Sequence, residues 1–220
     1  MSCAVHVTAV IPVAGPAPGL PRLLHALRGR VQQIVVSVDE QTQLIELGSE
    51  VVVVQGSRGR GQQIARGVAI TQTDLVWVLH ADTCDIEQAL EYLCQLSPVN
   101  NCWGRFDVCL RRLGLISRLM NWRSRLTRIC TGDQAMFFHQ RVLEAIGGYP
   151  QQSLMEDIEV SRMLKRHARA GFLAPRIAVT SSSNRWLSRG VARTVLYMWV
   201  LRMRYYFGAD PDVLYRMYYR

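Results

Sequence analysis

Lysine is almost missing from this chain of 220 residues: Lys165 is the only one, although the formal net charge is +9. The absence excludes a phosphate-binding P-loop, which needs the pattern G-x-x-x-x-G-K. It also argues against Schiff-base chemistry, because that chemistry uses a lysine amine. Nearly all of the positive charge therefore comes from arginine, whose guanidinium group can donate two hydrogen bonds to a phosphate group. Such a charge suits binding to a nucleotide, a nucleic acid or an anionic membrane surface. Charge alone does not choose among these partners.

The sequence also lacks closely spaced pairs of cysteines and long apolar runs. The six cysteines are scattered without any C-x-x-C, which argues against a zinc knuckle or a thioredoxin-like site and favours reduced thiols. No apolar stretch reaches the ~20 residues that span a bilayer. The first residues lack the charged and apolar regions of a signal peptide. We therefore expect a cytoplasmic protein.

The first half of the chain alternates strand-like and helix-like segments. The predicted strands are AVHVTAVIPVAG, VQQIVVSVDE, EVVVVQG and DLVWVLHADT. The predicted helices are LPRLLHALRGR, TQLIELG, the segment that follows SRGRGQQ, and DIEQALEYLCQL. Strands and helices that alternate at crossover spacing predict an α/β fold with a mostly parallel, doubly wound sheet.

The rhythm changes after about Ser97. Here we predict strands in CWGRFDVCLRR, DQAMFFHQ and IAVTSSS, and helices in LISRLMNWRSRLTRI, SLMEDIEVSRMLKRHARA and GVARTVLYMWVLRMRYYFG. No linker or repeat separates the two halves, so residues 98–220 are predicted to complete the domain that residues 1–97 begin.

Polar side chains follow the ends of three predicted strands. Asp39 follows the second strand, Arg58 and Arg60 the third, and His80 and Asp82 the fourth. Ligands of open α/β sheets bind beyond the carboxyl ends of the strands. An acceptor for a base or ribose, arginines for a diphosphate and a carboxylate for a hard cation together predict a nucleotide-diphosphate site. Each signal alone has a structural alternative: Asp82 could cap the next helix, and the arginines could form a solvated face.

A second group of acids begins the segment SLMEDIEVSRML. Glu156, Asp157 and Glu159 are candidates for the carboxylate base that group transfer to a hydroxyl requires. The structural alternative is a capping box, because Ser153 precedes Glu156 by three residues. Acids in a first turn also stabilise the helix dipole.

Ten segments of the chain resemble family 2 glycosyltransferases, in an order that spans nearly its whole length. They are AVIPVAG, IVVSVDE, GRGQQIARG, LHADT, WGRFDV, RSRLTRICTGDQAMFF, GGYP, LMEDIEVSRMLKR, TSSSNRW and RTVLYMW. The nearest resemblance is to the bacterial subgroup of arsenosugar-biosynthesis-type glycosyltransferases. It implies a GT-A fold, a nucleoside-diphosphate sugar as donor, Mn²⁺ or Mg²⁺ as cofactor, and inverting transfer to a hydroxyl acceptor.

The resemblance also implies roles for individual residues. HADT lies where the family carries D-x-D, so Asp82 would bind metal and diphosphate, and His80, a possible metal ligand, replaces the first acid. Asp157 would be the base, with Glu156 beside it. The remaining implied residues are Pro12, Asp39, Arg58, Arg60 and Ala81 on the donor side, and Gly132, Asp133, Gln134, Arg185 and Trp186 on the acceptor side.

Three rival interpretations stay open at this point. A nucleotidyltransferase could share the architecture, but the loop PVAGPAPGLPR has none of the lysine that such enzymes normally place after the first strand. A nucleic-acid-binding protein would explain the charge, although we rank it low. The segments LMNWRSRLTR and LRMRYYFGADPDVLYRMYYR have the basic residues interleaved with aromatics that nucleic-acid binding predicts, although amphipathic core helices are the structural alternative. The basic, aromatic C-terminus could also rest weakly on an anionic membrane, where a lipid-linked acceptor would be met.

Overall fold

The computed structural model describes residues 5–42, 47–96, 101–168, 171–183 and 190–219. The elements of the first half are β1 Val5–Val13, α1 Leu20–Leu27, β2 Val31–Asp39, β3 Val51–Gly56, α2 Arg60–Ala69, β4 Leu75–Val78 and α3 Glu87–Gln95. All four predicted strands and three of the predicted helices of this half are confirmed. The fourth predicted helix, TQLIELG, lies largely outside the described residues.

The second half adds short strands and longer helices. Its elements are β5 Trp103–Gly104, β6 Asp107–Leu110, α4 Gly114–Thr127, β7 Phe137–His139, α5 Gln140–Ala145, α6 Glu156–His167, β8 Phe172–Leu173, β9 Ala178–Ser181, α7 Val191–Tyr206 and α8 Pro211–Tyr218. A 3-10 turn over Gly132–Gln134 precedes β7.

In the described part of the chain, strands from both halves share one seven-stranded sheet. Its order is β3-β2-β1-β4-β7-β5-β8, and β6 pairs with β9 in a separate parallel ribbon. Strands β1 to β4 are parallel to one another, with β1 between β2 and β4, while β7 runs antiparallel to β4. The carboxyl ends of β1, β2, β3 and β4 therefore meet at one edge, where ligands bind in open α/β sheets.

Side chains of β1 and β4 alternate between two cores, one on each face of the sheet. Ala9 and Ile11 pack in the core that includes helices α1 and α3, whereas Val10 packs in the core that includes α2, α5 and α6. Trp77 and Val76 divide in the same way along β4. This period of two is the property of a strand, and it explains why the apolar runs of the sequence are continuous: both faces are covered.

The last two described helices pack on the beginning of α6. Met155, Leu201 and Leu214 form a small separate core between them. The predicted helix GVARTVLYMWVLRMRYYFG is confirmed as α7, and α8 follows it as a second helix that we had not predicted. None of the helices within the described ranges combines the length and the apolar character needed to cross a bilayer.

The prediction of one strand in CWGRFDVCLRR is wrong, because the segment divides into β5 and β6 in different sheets. Between them the backbone N–H of Arg105 donates to the Leu173 carbonyl and that of Phe106 to the Gln134 carbonyl. The fully buried guanidinium of Arg105 is paired with Asp107. A charge that needs a partner inside the protein thus marks the place where the chain leaves the main sheet.

Candidate active site

Asp39 lies at the end of β2 and joins the loops that follow three strands. Its carboxylate is almost completely buried and accepts a hydrogen bond from the hydroxyl of Thr42. That hydroxyl in turn accepts one from the backbone N–H of Gly15, at 2.8 Å. On its other side the carboxylate faces the Nε of Arg58 at 3.6 Å. The predicted donor-site acid is thus placed at the ligand-binding edge by its neighbours.

The glycine- and arginine-rich loop is held from beneath by side chains that our sequence analysis did not single out. Gln63 is buried, and its amide donates to the carbonyls of Val13 at 2.6 Å and Ser37 at 3.0 Å, at the ends of two strands. Arg66 donates to the carbonyls of Val38 and Ser57. The signal that could have identified them is their position one helical turn apart on the buried face of α2.

Strand β4 ends at Val78, so His80 and Asp82 lie in the turn that follows it. His80 is half-buried, and its Nε2 lies 3.3 Å from Oδ1 of Asp133. Asp82 is exposed. The turn sits tightly against α1, because a Cβ on Gly19 would come within 2.7 Å of the Ala81 carbonyl oxygen.

The alternative that Asp82 caps α3 is wrong. That helix begins at Glu87 after the N-cap residue Ile86, and no side chain caps it. Asp82 instead lines a polar cleft of about 390 Å³ together with Arg22, Arg111 and Arg112. An exposed carboxylate beside arginines is an arrangement that can receive a metal-bound anion.

Glu156 and Arg60 form a buried ion pair beneath the site. The Nε of Arg60 lies 3.2 Å from Oε1 of Glu156. The pKa of Glu156 is raised to about 7. Burial is the main cause and the charge of Asp157 adds to it, while the charge of Arg60 acts in the opposite direction. For Arg60, burial opposes the charge, but Glu156, Asp157 and Asp133 outweigh it and raise its pKa. Of the two arginines predicted to bind phosphate, Arg58 is therefore the open one, while Arg60 points to Glu156.

Asp157 is held by two backbone N–H groups at the start of α6. Its Oδ2 accepts from Gly132 at 2.9 Å and its Oδ1 from Ile158 at 2.8 Å. The capping-box alternative is wrong: the N-cap is Met155, in a left-handed conformation without a side-chain cap, and Ser153 bonds to Asp212 instead. A carboxylate has about four lone-pair sites, so Asp157 keeps acceptor capacity for a substrate proton.

The 3-10 turn Gly132–Gln134 connects the end of β4 with the start of α6. Gly132 donates to Asp157, and Asp133 faces His80. A side chain on Gly132 would overlap the guanidinium of Arg60, so only glycine lets the turn approach so closely. Gln134 is fully buried, and its amide donates to Ser124 and Asn121, so it supports the turn from below.

Four further predicted residues are Glu159, Pro12, Arg185 and Trp186, and the last two, predicted for the acceptor, lie outside the described residues. Glu159 accepts a hydrogen bond from the hydroxyl of Tyr205 and faces Arg162 at 3.5 Å, so it serves the packing of α7 on α6. Pro12 lies near the end of β1, at the same edge as Asp39.

A divalent cation would find part of a coordination shell here. Within the described ranges, no group of three or more histidine, cysteine, aspartate or glutamate side chains is gathered to hold a metal ion. Mg²⁺ and Mn²⁺ sites on phosphate substrates commonly use one or two protein carboxylates and complete the shell with phosphate oxygens and water. Asp82, with the His80–Asp133 pair beside its turn, fits a metal held in that way.

Solved structures with a similar fold include transferases in complex with nucleotides or a nucleotide sugar. The mannosyltransferase PcManGT from Pyrobaculum calidifontis, in complex with GDP-Man and Mn²⁺, matches with a TM-score of 0.63 and 17% identity over 91% of this chain and 61% of that one. Glucosyl-3-phosphoglycerate synthase from Mycobacterium tuberculosis, in complex with Mn²⁺, UDP and phosphoglyceric acid, matches with a TM-score of 0.56 and 14% identity, over 78% and 68% of the two chains. The chain has a GT-A fold.

Residues 1–349 of TarS from S. aureus also match, with a TM-score of 0.53 and 11% identity over 80% of this chain and 60% of that one. This chain spans about three fifths of residues 1–349 of TarS and about three fifths of the mannosyltransferase. No protein-family model and no curated protein sequence matches it. At identities this low the likeness shows the fold, which confirms the predicted fold class, and leaves the activity to be argued from the site.

Proposed function

We propose that this protein is an inverting glycosyltransferase of family 2 type, which moves a sugar from a nucleoside-diphosphate sugar to a hydroxyl acceptor. The observation that carries the proposal is the turn Gly132–Gln134. On one side Asp133 contacts His80 beyond β4, and on the other Gly132 holds Asp157 at the start of α6. A candidate leaving-group site and a candidate base are thus joined through three consecutive residues of a GT-A fold.

The donor would lie along the carboxyl edge of the sheet. Asp39 would accept a hydrogen bond from the base or ribose, and the exposed guanidinium of Arg58 would face the diphosphate. Asp82 would hold Mn²⁺ or Mg²⁺ together with the diphosphate, with Ala81 and Pro12 forming the wall beside it. When bound, the cation supplies positive charge where the leaving group becomes more negative.

Asp157 would take the proton from the acceptor hydroxyl. Its two backbone donors fix the direction of the carboxylate. In an inverting reaction the acceptor oxygen attacks the sugar carbon directly, so a base and a stabilised leaving group suffice. Glu156 would support this residue from beneath rather than touch the substrate, because it is buried against Arg60.

A thermal-shift panel tests the donor site. UDP, GDP, dTDP, CDP and their common sugars would be added with and without Mn²⁺. A ligand at a hundred times its dissociation constant stabilises the folded state by about 2.7 kcal/mol. We expect one nucleotide to raise the melting temperature in a manganese-dependent way, and Asp82→Ala to lose that effect. Asp74→Ala is the matched control, since Asp74 is an exposed acid at the opposite end of β4. If no nucleotide stabilises the protein, the proposal fails.

Asp157→Asn tests the base. The amide keeps an oxygen for one of the two backbone donors but cannot accept a proton at neutral pH. We expect the nucleotide-induced shift to persist and sugar transfer to fall by about 100-fold or more, the range that general-base catalysis commonly contributes. Unchanged turnover in this variant would remove Asp157 as the base.

We also propose weak peripheral contact with an anionic membrane through α4. Leu115, Leu119, Trp122 and Leu126 are all more than half exposed, and their spacing of three and four residues places them on one face of that helix. The chain as a whole is rich in arginine and has a formal net charge of +9. A stripe of leucines and a tryptophan accompanied by arginine is typical of helices that lie in a membrane interface. A nucleic acid is the rival partner, because an exposed aromatic such as Trp122 can also stack on bases.

A further inference from the structure

Across the part of the chain that the structure describes, Arg123 and Arg202 differ from Arg60, Arg105 and Arg125 in having no acidic partner, and from Arg66 in having no carbonyl that accepts from the guanidinium. Arg60 is paired with Glu156, and both Arg105 and Arg125 with Asp107. Arg123 and Arg202 are both partly buried, but neither has an acidic partner within ion-pair distance among the described residues. The Nη2 atom of Arg123 and the Nε atom of Arg202 are buried without a hydrogen-bond partner.

Arg123 lies on α4, which is linked to Asp157 through the turn Gly132–Gln134, and Arg202 lies on α7, which packs on the start of α6. On the α4 side, Ser124 follows Arg123 and accepts a hydrogen bond from Gln134, which is in the same short turn as Gly132. On the α7 side, Leu201 packs with Met155, and Tyr205 bonds to Glu159. Arg202 lies on this helix, and its charge acts on Arg123, so the two guanidinium groups are near each other.

The electrostatics of Arg123 agree with this placement. Burial and, to a smaller extent, the charge of Arg202 lower its pKa to about 10, while the charge of Asp157 partly compensates. Two guanidinium groups that repel each other in a partly buried place are unfavourable for the unliganded protein. Residues in such an arrangement are stabilised by an anion that neutralises both.

We propose that Arg123 and Arg202 form an anion site for a phosphate monoester group carried by the acceptor, beside the base Asp157. Two arginines carry two positive charges, and a phosphate monoester approaches two negative charges at neutral pH, whereas a carboxylate supplies one. The planar guanidinium also forks onto two phosphate oxygens. The assignment of this phosphate to the acceptor rests on the proposed function, whereas the anion site itself is argued from the arginines alone.

The test is a thermal-shift titration with inorganic phosphate, in buffers matched in ionic strength with chloride. We expect phosphate to stabilise the wild-type protein beyond the chloride control. Arg123→Gln and Arg202→Gln should each weaken the apparent affinity by about 10- to 100-fold, the loss of a charged hydrogen bond. Arg118→Gln is the matched control on α4, because Arg118 is exposed. It should behave as the wild type does.

Three outcomes would overturn the anion site. They are a wild type that responds to phosphate no more than to chloride, a double variant that still responds, and an Arg118→Gln variant that loses as much as Arg123→Gln. The unliganded Arg123→Gln variant should melt no lower than the wild type, since a repulsion is removed. A lower melting temperature together with retained phosphate binding would make Arg123 a structural residue. The nucleotide panel reports separately on the donor, so a failed transferase and a failed anion site are distinguishable.

A second arm distinguishes a soluble phosphate from a lipid headgroup. Vesicles of phosphatidylcholine with phosphatidic acid, which carries a phosphate monoester, are compared with vesicles of equal charge made with phosphatidylglycerol. A lipid acceptor predicts tighter binding to phosphatidic acid that is lost in Arg123→Gln and Arg202→Gln. Equal binding to both vesicles, with stabilisation by inorganic phosphate intact, assigns the site to a water-soluble phosphate monoester.

Discussion

Glu156 illustrates at the scale of one residue how a buried acid can be disfavoured in its charged form and still be retained. It is nearly inaccessible, and its pKa is raised to about 7 by burial, despite the attraction of Arg60. Its partner Arg60 fills the space that Gly132 leaves open, next to the N–H group that holds Asp157. The pair therefore acts as the support beneath the candidate base.

The raised pKa makes the stability of the fold depend on pH. Between the ordinary value of 4.5 and about 7, the folded protein binds more protons at Glu156 than the unfolded chain does. The free energy of unfolding therefore falls as the pH rises through this range, by up to about 3 kcal/mol from this one group. We expect Glu156→Gln to lack this decline, so that its stability relative to the wild type increases from pH 4.5 to pH 8. Urea unfolding at several pH values measures it.

Glu144→Gln is the control for this experiment, because Glu144 is exposed on α5. Its unfolding free energy should run parallel to that of the wild type at every pH. If the curves of Glu156→Gln and the wild type are also parallel, the carboxyl titrates as it does in the unfolded chain, and its burial against Arg60 is not as described.

At the scale of elements, the packing of α2 on the sheet decides where the Arg60 pair lies. Gly67 faces β1 so closely that an added Cβ would lie 2.5 Å from Cγ1 of Val10. Such a contact can be relieved only by moving the helix or the valine, both of which are buried in the same core. Gly67 is therefore required for the packing of α2 on the sheet, and its presence is not a sign of phosphate binding.

Gly67→Ala should therefore destabilise the protein by about 1–3 kcal/mol, as overpacking does. Gly114→Ala, at the first residue of α4, meets nothing within 4 Å and should leave the stability unchanged or raise it by up to about 1 kcal/mol. Chemical denaturation with a constant m-value measures both changes. Equal stabilities of the two variants would contradict the close approach of α2 to β1.

At the scale of the whole molecule, the exposed apolar stripe of α4 and the basic charge predict how the protein meets a surface. Leu115, Leu119, Trp122 and Leu126 would enter the headgroup region, and the arginines would attract anionic lipids. The exposed apolar residues of α7, such as Leu196 and Trp199, extend this character to the C-terminal helices. Arg123 of α4 and Arg202 of α7 form the proposed anion site. The phosphate of a membrane lipid would therefore reach this site close to the membrane surface that the two helices would contact.

We expect the protein to co-sediment with vesicles that contain phosphatidylglycerol and to be released by high salt. The double variant Leu119→Ser/Trp122→Ser should bind about 10-fold or more weakly, since each side chain contributes more than 1 kcal/mol when fully buried. Val53→Ser is the control, because Val53 is similarly exposed on β3, a strand at the far edge of the sheet. Equal binding to neutral and anionic vesicles, or none to either, would contradict the membrane contact.

The sequence by itself determined the α/β class and the location of the first four strands along the chain. It also determined that Asp39 and Asp82 lie at or after the ends of strands. Periodicity is a local property, and parallel strands bring their carboxyl ends together whatever the details of packing. It also carried the resemblance from which the GT-A fold was expected, and the fold is confirmed. The interruption between β5 and β6 could not be read locally, because it depends on partners of Arg105 and Phe106 that are distant in the chain.

Only the tertiary structure decided what each polar side chain contacts. Arg58 and Arg60 are two residues apart, yet one faces Asp39 and the other is buried against Glu156. Arg123 and Arg118 belong to one helix, yet only Arg123 turns toward Asp157. The sign and strength of an electrostatic effect depend on burial and on neighbours brought close by folding, and a local pattern contains neither.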